Sequence, residues 1–126
     1  MAMEKIMVSG LGKTWLLDLD GTILKHNGHL TEAGDCFLDG AQEFLYQIPK
    51  GDKIIFLTSR DVGYAAVTEA FLDAHGIGSY QVIYNLPYGE RILVNDKKPS
   101  GMKTALAVNV ERDVFMQVEF VEDKEL

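Results

Sequence analysis

The stretch Thr14-Trp15-Leu16-Leu17-Asp18-Leu19-Asp20-Gly21-Thr22 decides how the rest of the chain is read. A short apolar strand runs into two carboxylates spaced i, i+2, and a glycine then turns the chain. Side chains in a strand alternate faces, so Asp18 and Asp20 can point the same way from the strand's end. Two acids side by side repel and cost stability unless a cation or a proton task justifies them. One can act as nucleophile and the other as general acid/base, with a divalent cation screening the charge.

Working outward, residues 1–13 read as a loose lead-in with a short strand at Ile6–Val8, and Thr14–Asp18 is the first strong strand. Gly21 to Asp39 is loop-rich. Asp39 is placed to cap a helix through Ala41–Gln47, which Pro49 and Gly51 end. Lys53-Ile54-Ile55-Phe56-Leu57-Thr58 is a continuous apolar run, as in a parallel sheet covered on both faces. Asp61 can cap the next helix, in which Tyr64, Val67, Phe71 and Leu72 form one apolar stripe, and His75-Gly76 closes it. Gln81–Tyr84 and Arg91–Asn95 read as third and fourth strands. Met102–Val110 is ambiguous, readable as a helical turn at its start and a fifth strand at its end, and Val114–Val121 reads as a strand that can pair with the fifth across Glu111-Arg112-Asp113. The acidic end from Glu122 to Glu125 reads as solvated and frayed. Strands alternating with helices predict an α/β fold, a mostly parallel sheet with helices on both faces.

A chain of 126 residues has the size of one domain, 1–126. Its 47% hydrophobic and 25% charged content is ordinary for a soluble globular protein. Twelve basic against nineteen acidic residues give −7, which argues against general nucleic-acid or anionic-membrane binding. A local basic pocket for one phosphate is compatible with that charge. Cys36 is the only cysteine, so no internal disulfide is expected, and it reads as a half-buried small hydrophobe. No apolar run has the length of a signal peptide or membrane span, so the expected compartment is the cytoplasm. His26, His29 and His75 have no metal-ligand spacing and read as surface or loop residues, His26 or His29 being within reach of a substrate.

Ligands of open parallel sheets bind outside the carboxyl ends of the strands. Those ends carry Asp18 and Asp20, then Thr58-Ser59-Arg60, then Asn95-Asp96-Lys97-Lys98. A nucleophilic carboxylate, a second carboxylate, hydroxyl donors and cations are what transfer of a phosphoryl group needs, because its charge spreads over the equatorial oxygens.

Asp18-Leu19-Asp20-Gly21-Thr22 resembles the first signature of the haloacid dehalogenase superfamily, most of whose members are Mg²⁺-dependent phosphohydrolases. Ile54–Thr58 is similar to its second signature and Ile92–Asp96 to its fourth. The resemblance implies a Rossmann-like core. It implies Asp18 as the nucleophile that forms an aspartyl-phosphate and Asp20 as general acid/base. It implies Thr58 as a phosphate ligand, with the Ser59 N–H as a further donor; Arg60 and Lys97 are further phosphate-binding candidates by their place at the same edge. It implies Mg²⁺ held by Asp18, the Asp20 carbonyl and Asp96, an oxygen-rich site suited to a hard cation.

The family usually supplies a lysine upstream of its fourth signature, and no lysine lies between Thr58 and Asp96. Arg91 opens the fourth expected strand, at the opposite edge from the site. Lys98, in the stiff loop Lys98-Pro99-Ser100-Gly101, is the expected phosphate-charge partner, with Lys97 as the alternative. Asn95 stands where some members carry a second acid, to assist the metal through water or to cap the turn. A similar Asn-Asp-x-Lys-Pro loop occurs in small phosphatase-like proteins of bacterial polysaccharide gene clusters.

Thirty residues between Thr22 and Lys53, and thirty-seven between Thr58 and Asp96, leave no room for a cap domain. An open site admits a bulky substrate or is closed by a neighbouring subunit in a homo-oligomer. The expected activity is hydrolysis of a small phosphorylated sugar or polyol, in surface or capsular polysaccharide synthesis. Alternatives are a polynucleotide or protein phosphatase, a phosphotransferase, and a non-catalytic binding module on the same fold.

Overall fold

In the computed structural model, which describes residues 3–126, every paired strand runs parallel to its neighbour. The first two residues of the expected lead-in lie outside the described residues. The strands are β1 (Glu4–Val8), β2 (Thr14–Asp18), β3 (Lys53–Leu57), β4 (Gln81–Ile83) and β5 (Val118–Glu122). The helices are α1 (Ala41–Gln47) and α2 (Ala65–Ala74), with short 3-10 turns at Gly28–Leu30 and Val62–Tyr64. The fold is thus α/β with small parallel sheets. No helix among the described residues is long and apolar enough to cross a membrane.

The chain divides into two compact units. The first comprises Gly12–Pro87 and Val110–Met116; the second comprises the described part of Met1–Leu11 with Tyr88–Asn109 and Gln117–Leu126.

The first unit holds the sheet β2-β3-β4. Its register pairs Thr14 with Lys53 and Asp18 with Leu57. Asp52 pins the start of that register. Its carboxylate accepts from the Lys13 backbone N–H at 3.1 Å and from the Trp15 indole Nε1 at 2.9 Å. Apolar β-branched and aromatic residues of β3 put Ile54 and Phe56 on the buried face. They join Leu19, Ile23, Leu24, Ala41, Leu45, Leu72 and Ile77 in one core. Each large side chain buried there stabilises the fold by about 1.5–3 kcal/mol.

Both helices differ from the sequence expectation in detail. The N-cap of α1 is Gly40, not Asp39. Its φ of 90° is a left-handed entry that favours glycine, and the Phe115 ring fills the space where a Cβ would sit. In α2 the fully buried positions are Thr68 and Leu72, one turn apart, while Val67 is 52% exposed. A polar residue takes the inward face because it has a buried partner, Arg60. Asp61 does cap the preceding turn, accepting from the Gly63 N–H at 2.7 Å.

The second unit holds the pair β1-β5, with Glu4 opposite Val118 and Val8 opposite Glu122. Four expectations are corrected here. Arg91–Asn95 forms no strand: neither sheet includes it, and Ile92 and Val94 are 85% and 88% exposed. An apolar run becomes a strand only where a partner backbone takes its N–H and C=O groups. Met102–Val110 has no regular structure. The last strand begins at Val118 and pairs with β1 rather than with a fifth strand, Met102–Val110 offering none. Glu122 belongs to that strand instead of a frayed end.

Cys36 is exposed, against expectation. The chain around it is extended, so alternate side chains turn inward, and those are Asp35 and Phe37.

Candidate functional site

In the first unit, the carboxyl ends of β2 and β3 bring together Asp18, Asp20, Thr58, Ser59 and Arg60. Leu19, fully buried, lies between the two acids and anchors them to the core. Asp18 pairs with Leu57 at the end of the ladder. Its Oδ2 accepts from the Thr22 hydroxyl at 2.8 Å, so the threonine of the Asp-x-Asp-Gly-Thr stretch orients the first carboxylate.

Gly21 turns the chain at φ +83°, and a Cβ there would stand 3.1 Å from Arg112 Cγ. The turn is closed by bonds from Ile23 and Leu24 N–H to the Leu19 carbonyl and from Gly21 N–H to the Leu24 carbonyl. None of these bonds ends on the Asp20 carbonyl. Asp113 braces the same loop: its N–H donates to the Gly21 carbonyl at 2.8 Å, and its carboxylate accepts from the His26 N–H at 2.7 Å.

Asp20 is the most heavily engaged acid. Thr58 Oγ1 donates to its Oδ2 at 2.8 Å. Arg60 Nε reaches Oδ1 at 3.0 Å and Oδ2 at 3.2 Å, and Nη2 reaches Oδ1 at 2.9 Å. The same guanidinium meets a second carboxylate, with Nη1 to Asp35 Oδ2 at 3.0 Å and Nη2 to Asp35 Oδ1 at 2.7 Å. Nη1 also donates to Thr68 Oγ1 at 2.8 Å. Burial opposes the charge on Arg60, yet the bonds to Asp35 and Asp20 outweigh it and hold the guanidinium above its usual range. Ser59 is half-buried between Thr58 and Arg60.

Asp35, Thr68 and Thr22 were not singled out by the sequence reading. The signal for Thr22 lay in the Asp-x-Asp-Gly-Thr stretch itself. For Asp35 there was none, because a tertiary hairpin delivers it. Leu24 bridges Phe37 in antiparallel sense, Lys25 N–H donates to the Cys36 carbonyl, and Leu38 N–H to the Ile23 carbonyl.

His29, read as a surface or loop residue, lies in the loop-rich segment but turns its side chain inward. Its side chain is 6% exposed, and its Nδ1 is buried, has no hydrogen-bond partner and lies 3.9 Å from Asp20 Oδ1. The ring packs edge-on to Tyr64 at 4.7 Å. Burial first and Arg60 second push its pKa below the usual value, against the opposing pull of Asp20 and Asp35.

Asp96, Lys97 and Lys98 belong to the second unit and are exposed. Their loop is closed on itself. Lys98 N–H donates to the Met102 carbonyl at 2.9 Å and Gly101 N–H to the Lys98 carbonyl at 2.8 Å, with Gly101 at φ +94°. Asn95 Nδ2 donates to Thr104 Oγ1 at 2.7 Å, and that hydroxyl donates in turn to the Asp96 carbonyl. Asn95 is therefore a loop staple.

Among the described residues no group of three or more His, Cys, Asp or Glu side chains is arranged to hold a metal ion. The donors at the end of β2 nevertheless suit a hard cation: a carboxylate at Asp18 and a carbonyl at Asp20 outside the hydrogen bonds of the turn. Comparison with known protein families, curated proteins and solved structures gives no match to this chain.

Proposed function

We propose that the chain is a phosphomonoester hydrolase of the haloacid dehalogenase type with a Rossmann-like core, acting through an aspartyl-phosphate on Asp18. The observation that carries this reading is the meeting of Asp18, Asp20 and Thr58 at the carboxyl ends of two adjacent parallel strands. Ligands of parallel sheets bind at that edge.

In the proposed reaction an Asp18 oxygen attacks phosphorus and the bond to the leaving oxygen breaks. Asp20 delivers a proton to that oxygen. Water then attacks phosphorus while Asp20 takes its proton, which frees Asp18 and inorganic phosphate. The Gly21 turn, held by Asp113 and Leu24, keeps the two carboxylates at fixed separation along the chain. Mg²⁺, held by Asp18 and the Asp20 carbonyl, would supply screening of the phosphoryl charge. The roles of Asp96 as a further metal carboxylate and of Lys98, or Lys97, as phosphate-charge partner rest on the sequence alone. So do the small phosphorylated sugar or polyol as substrate, the polysaccharide pathway, the cytoplasmic setting and assembly into a homo-oligomer.

A second reading, a non-catalytic module on the same fold, has one observation in its favour. Asp20 accepts from Arg60 on both oxygens, as a purely structural ion pair would. Phosphate release from a panel of phosphorylated sugars, polyols, nucleotides and phosphopeptides, with Mg²⁺ and with chelator, separates the two. Metal-dependent release from the sugar or polyol class is expected. Metal binding without release from any compound would favour the module.

A further inference from the structure

Arg60 stands at the carboxyl end of β3, where a cation is expected to meet phosphate, but its hydrogen bonds point elsewhere. A guanidinium has five N–H donors and no more. Here Nε is spent on Asp20, the two of Nη2 on Asp20 and Asp35, and the two of Nη1 on Asp35 and Thr68. The side chain is 1% exposed and that of Asp35 is 2% exposed, whereas Asp20 keeps 15%. The open end of the chain of charges is therefore Asp20, and the closed end is Asp35. A carboxylate as deeply buried as Asp35 persists only if paired, and its pair holds the Nη1–Nη2 edge of the guanidinium, next to the Nε–Nη2 edge that meets Asp20.

We propose that Asp35 and Thr68 make Arg60 a fixed arm whose task is to position the Asp20 carboxylate, and that Arg60 does not bind the substrate's phosphate. This rests on the hydrolase reading above. Arg60, Asp35 and Thr68 are positioning residues: they affect turnover through Asp20 and touch no reacting atom. Thr58 adds the remaining contact, so Asp20 is held from two elements, the end of β3 and, through Arg60, the loop carrying Asp35.

The test compares wild type with Asp35→Asn, Thr68→Val and Arg60→Lys, using p-nitrophenyl phosphate with Mg²⁺ as substrate and inorganic phosphate as competing ligand. Misplacing a reacting group by about 1 Å can cost about 100-fold, so Asp35→Asn and Arg60→Lys are each expected to lower kcat by about that factor. Thr68→Val is expected to lower it less. KM and the phosphate inhibition constant stay at wild-type values in all three, because only transition-state geometry is lost. A weakened phosphate inhibition constant in Arg60→Lys with kcat retained would make Arg60 a phosphate ligand and overturn the proposal. Unchanged kcat in Asp35→Asn and Thr68→Val would also overturn it.

The Arg60 Nε–H resonance in NMR gives a readout independent of activity and of whether Asp35→Asn folds. In the wild-type protein it is expected to exchange slowly and to stay in place as phosphate is added. It is expected to move in Thr68→Val and in Asp20→Asn. Movement on adding phosphate would refute the fixed arm even if kinetics were silent. A wild-type protein that releases no phosphate from any compound, with this resonance still protected, would refute the hydrolase reading and leave the arm as a structural ion pair.

Discussion

Arg60 and Asp20 face each other in a two-pronged pair, Nε at 3.0 Å and Nη2 at 2.9 Å from the same carboxylate oxygen. They are forty positions apart in the chain, one just beyond β3 and the other just beyond β2. The pair joins the two strand ends on which the candidate site is built. Asp35 takes the adjacent edge of the same guanidinium through Nη1 and Nη2.

Loss of Arg60 should therefore be a stability event before it is anything else. Arg60→Met leaves two carboxylates facing one another with their common cation gone. Breaking a buried pair by removing one partner costs about 3–5 kcal/mol. Urea unfolding should show a lower midpoint with unchanged slope, the shift times that slope giving a loss of that size. A loss below about 1 kcal/mol would class the pair with exposed surface ion pairs.

The two strand-end carboxylates should separate by role. On the proposed hydrolase reading, Asp18→Asn removes the proposed nucleophile and is expected to abolish release of phosphate from p-nitrophenyl phosphate while thermal unfolding stays near wild type. Asp20→Asn removes the proposed general acid/base and is expected to slow turnover by about 10²–10⁴-fold. Wild-type kinetics in either variant would withdraw that residue from the reaction.

Gly21 should not tolerate a side chain. At φ +83° a Cβ meets Arg112 Cγ at 3.1 Å, and the left-handed backbone is itself unfavourable for an L-residue. Gly21→Ala is expected to cost about 1–2 kcal/mol from the backbone alone. Calorimetry of the variant checks this. A Tm equal to that of wild type would mean the turn relaxes freely.

His29 should make the fold acid-sensitive. Its pKa in the folded protein lies below the usual 6.5, chiefly through burial. The unfolded chain then binds the proton first. Stability is complete above about pH 6.5 and falls as pH drops through that value toward the folded pKa. His29→Gln should flatten this part of the stability-pH curve below about pH 6.5. An unchanged slope would assign it to other groups.

Much of the first unit was legible before any coordinates. The β2 and β3 runs, the β4 strand and both helices follow from apolar runs bounded by turn residues, and these are local signals. The same logic failed at Arg91–Asn95, whose composition is that of a strand but whose backbone meets no partner. It also failed at the last strand, whose parallel partner lies more than a hundred residues away. Pairing across such a distance leaves no local pattern.

The sequence by itself determined the chemistry on offer: two acids i, i+2 at a strand end, a glycine turn, and Thr58-Ser59-Arg60 ending a second strand. Residue type and spacing are enough for that, because the strand end at Asp18 and the turn at Gly21 are both local signals. Only the tertiary structure decided what Arg60 faces. Its sequence position allowed a phosphate or a carboxylate as partner. The choice came from a hairpin that delivers Asp35 and a helix that turns Thr68 inward. A buried guanidinium must have all its donors met, and which groups meet them is settled by where distant segments of the chain pack.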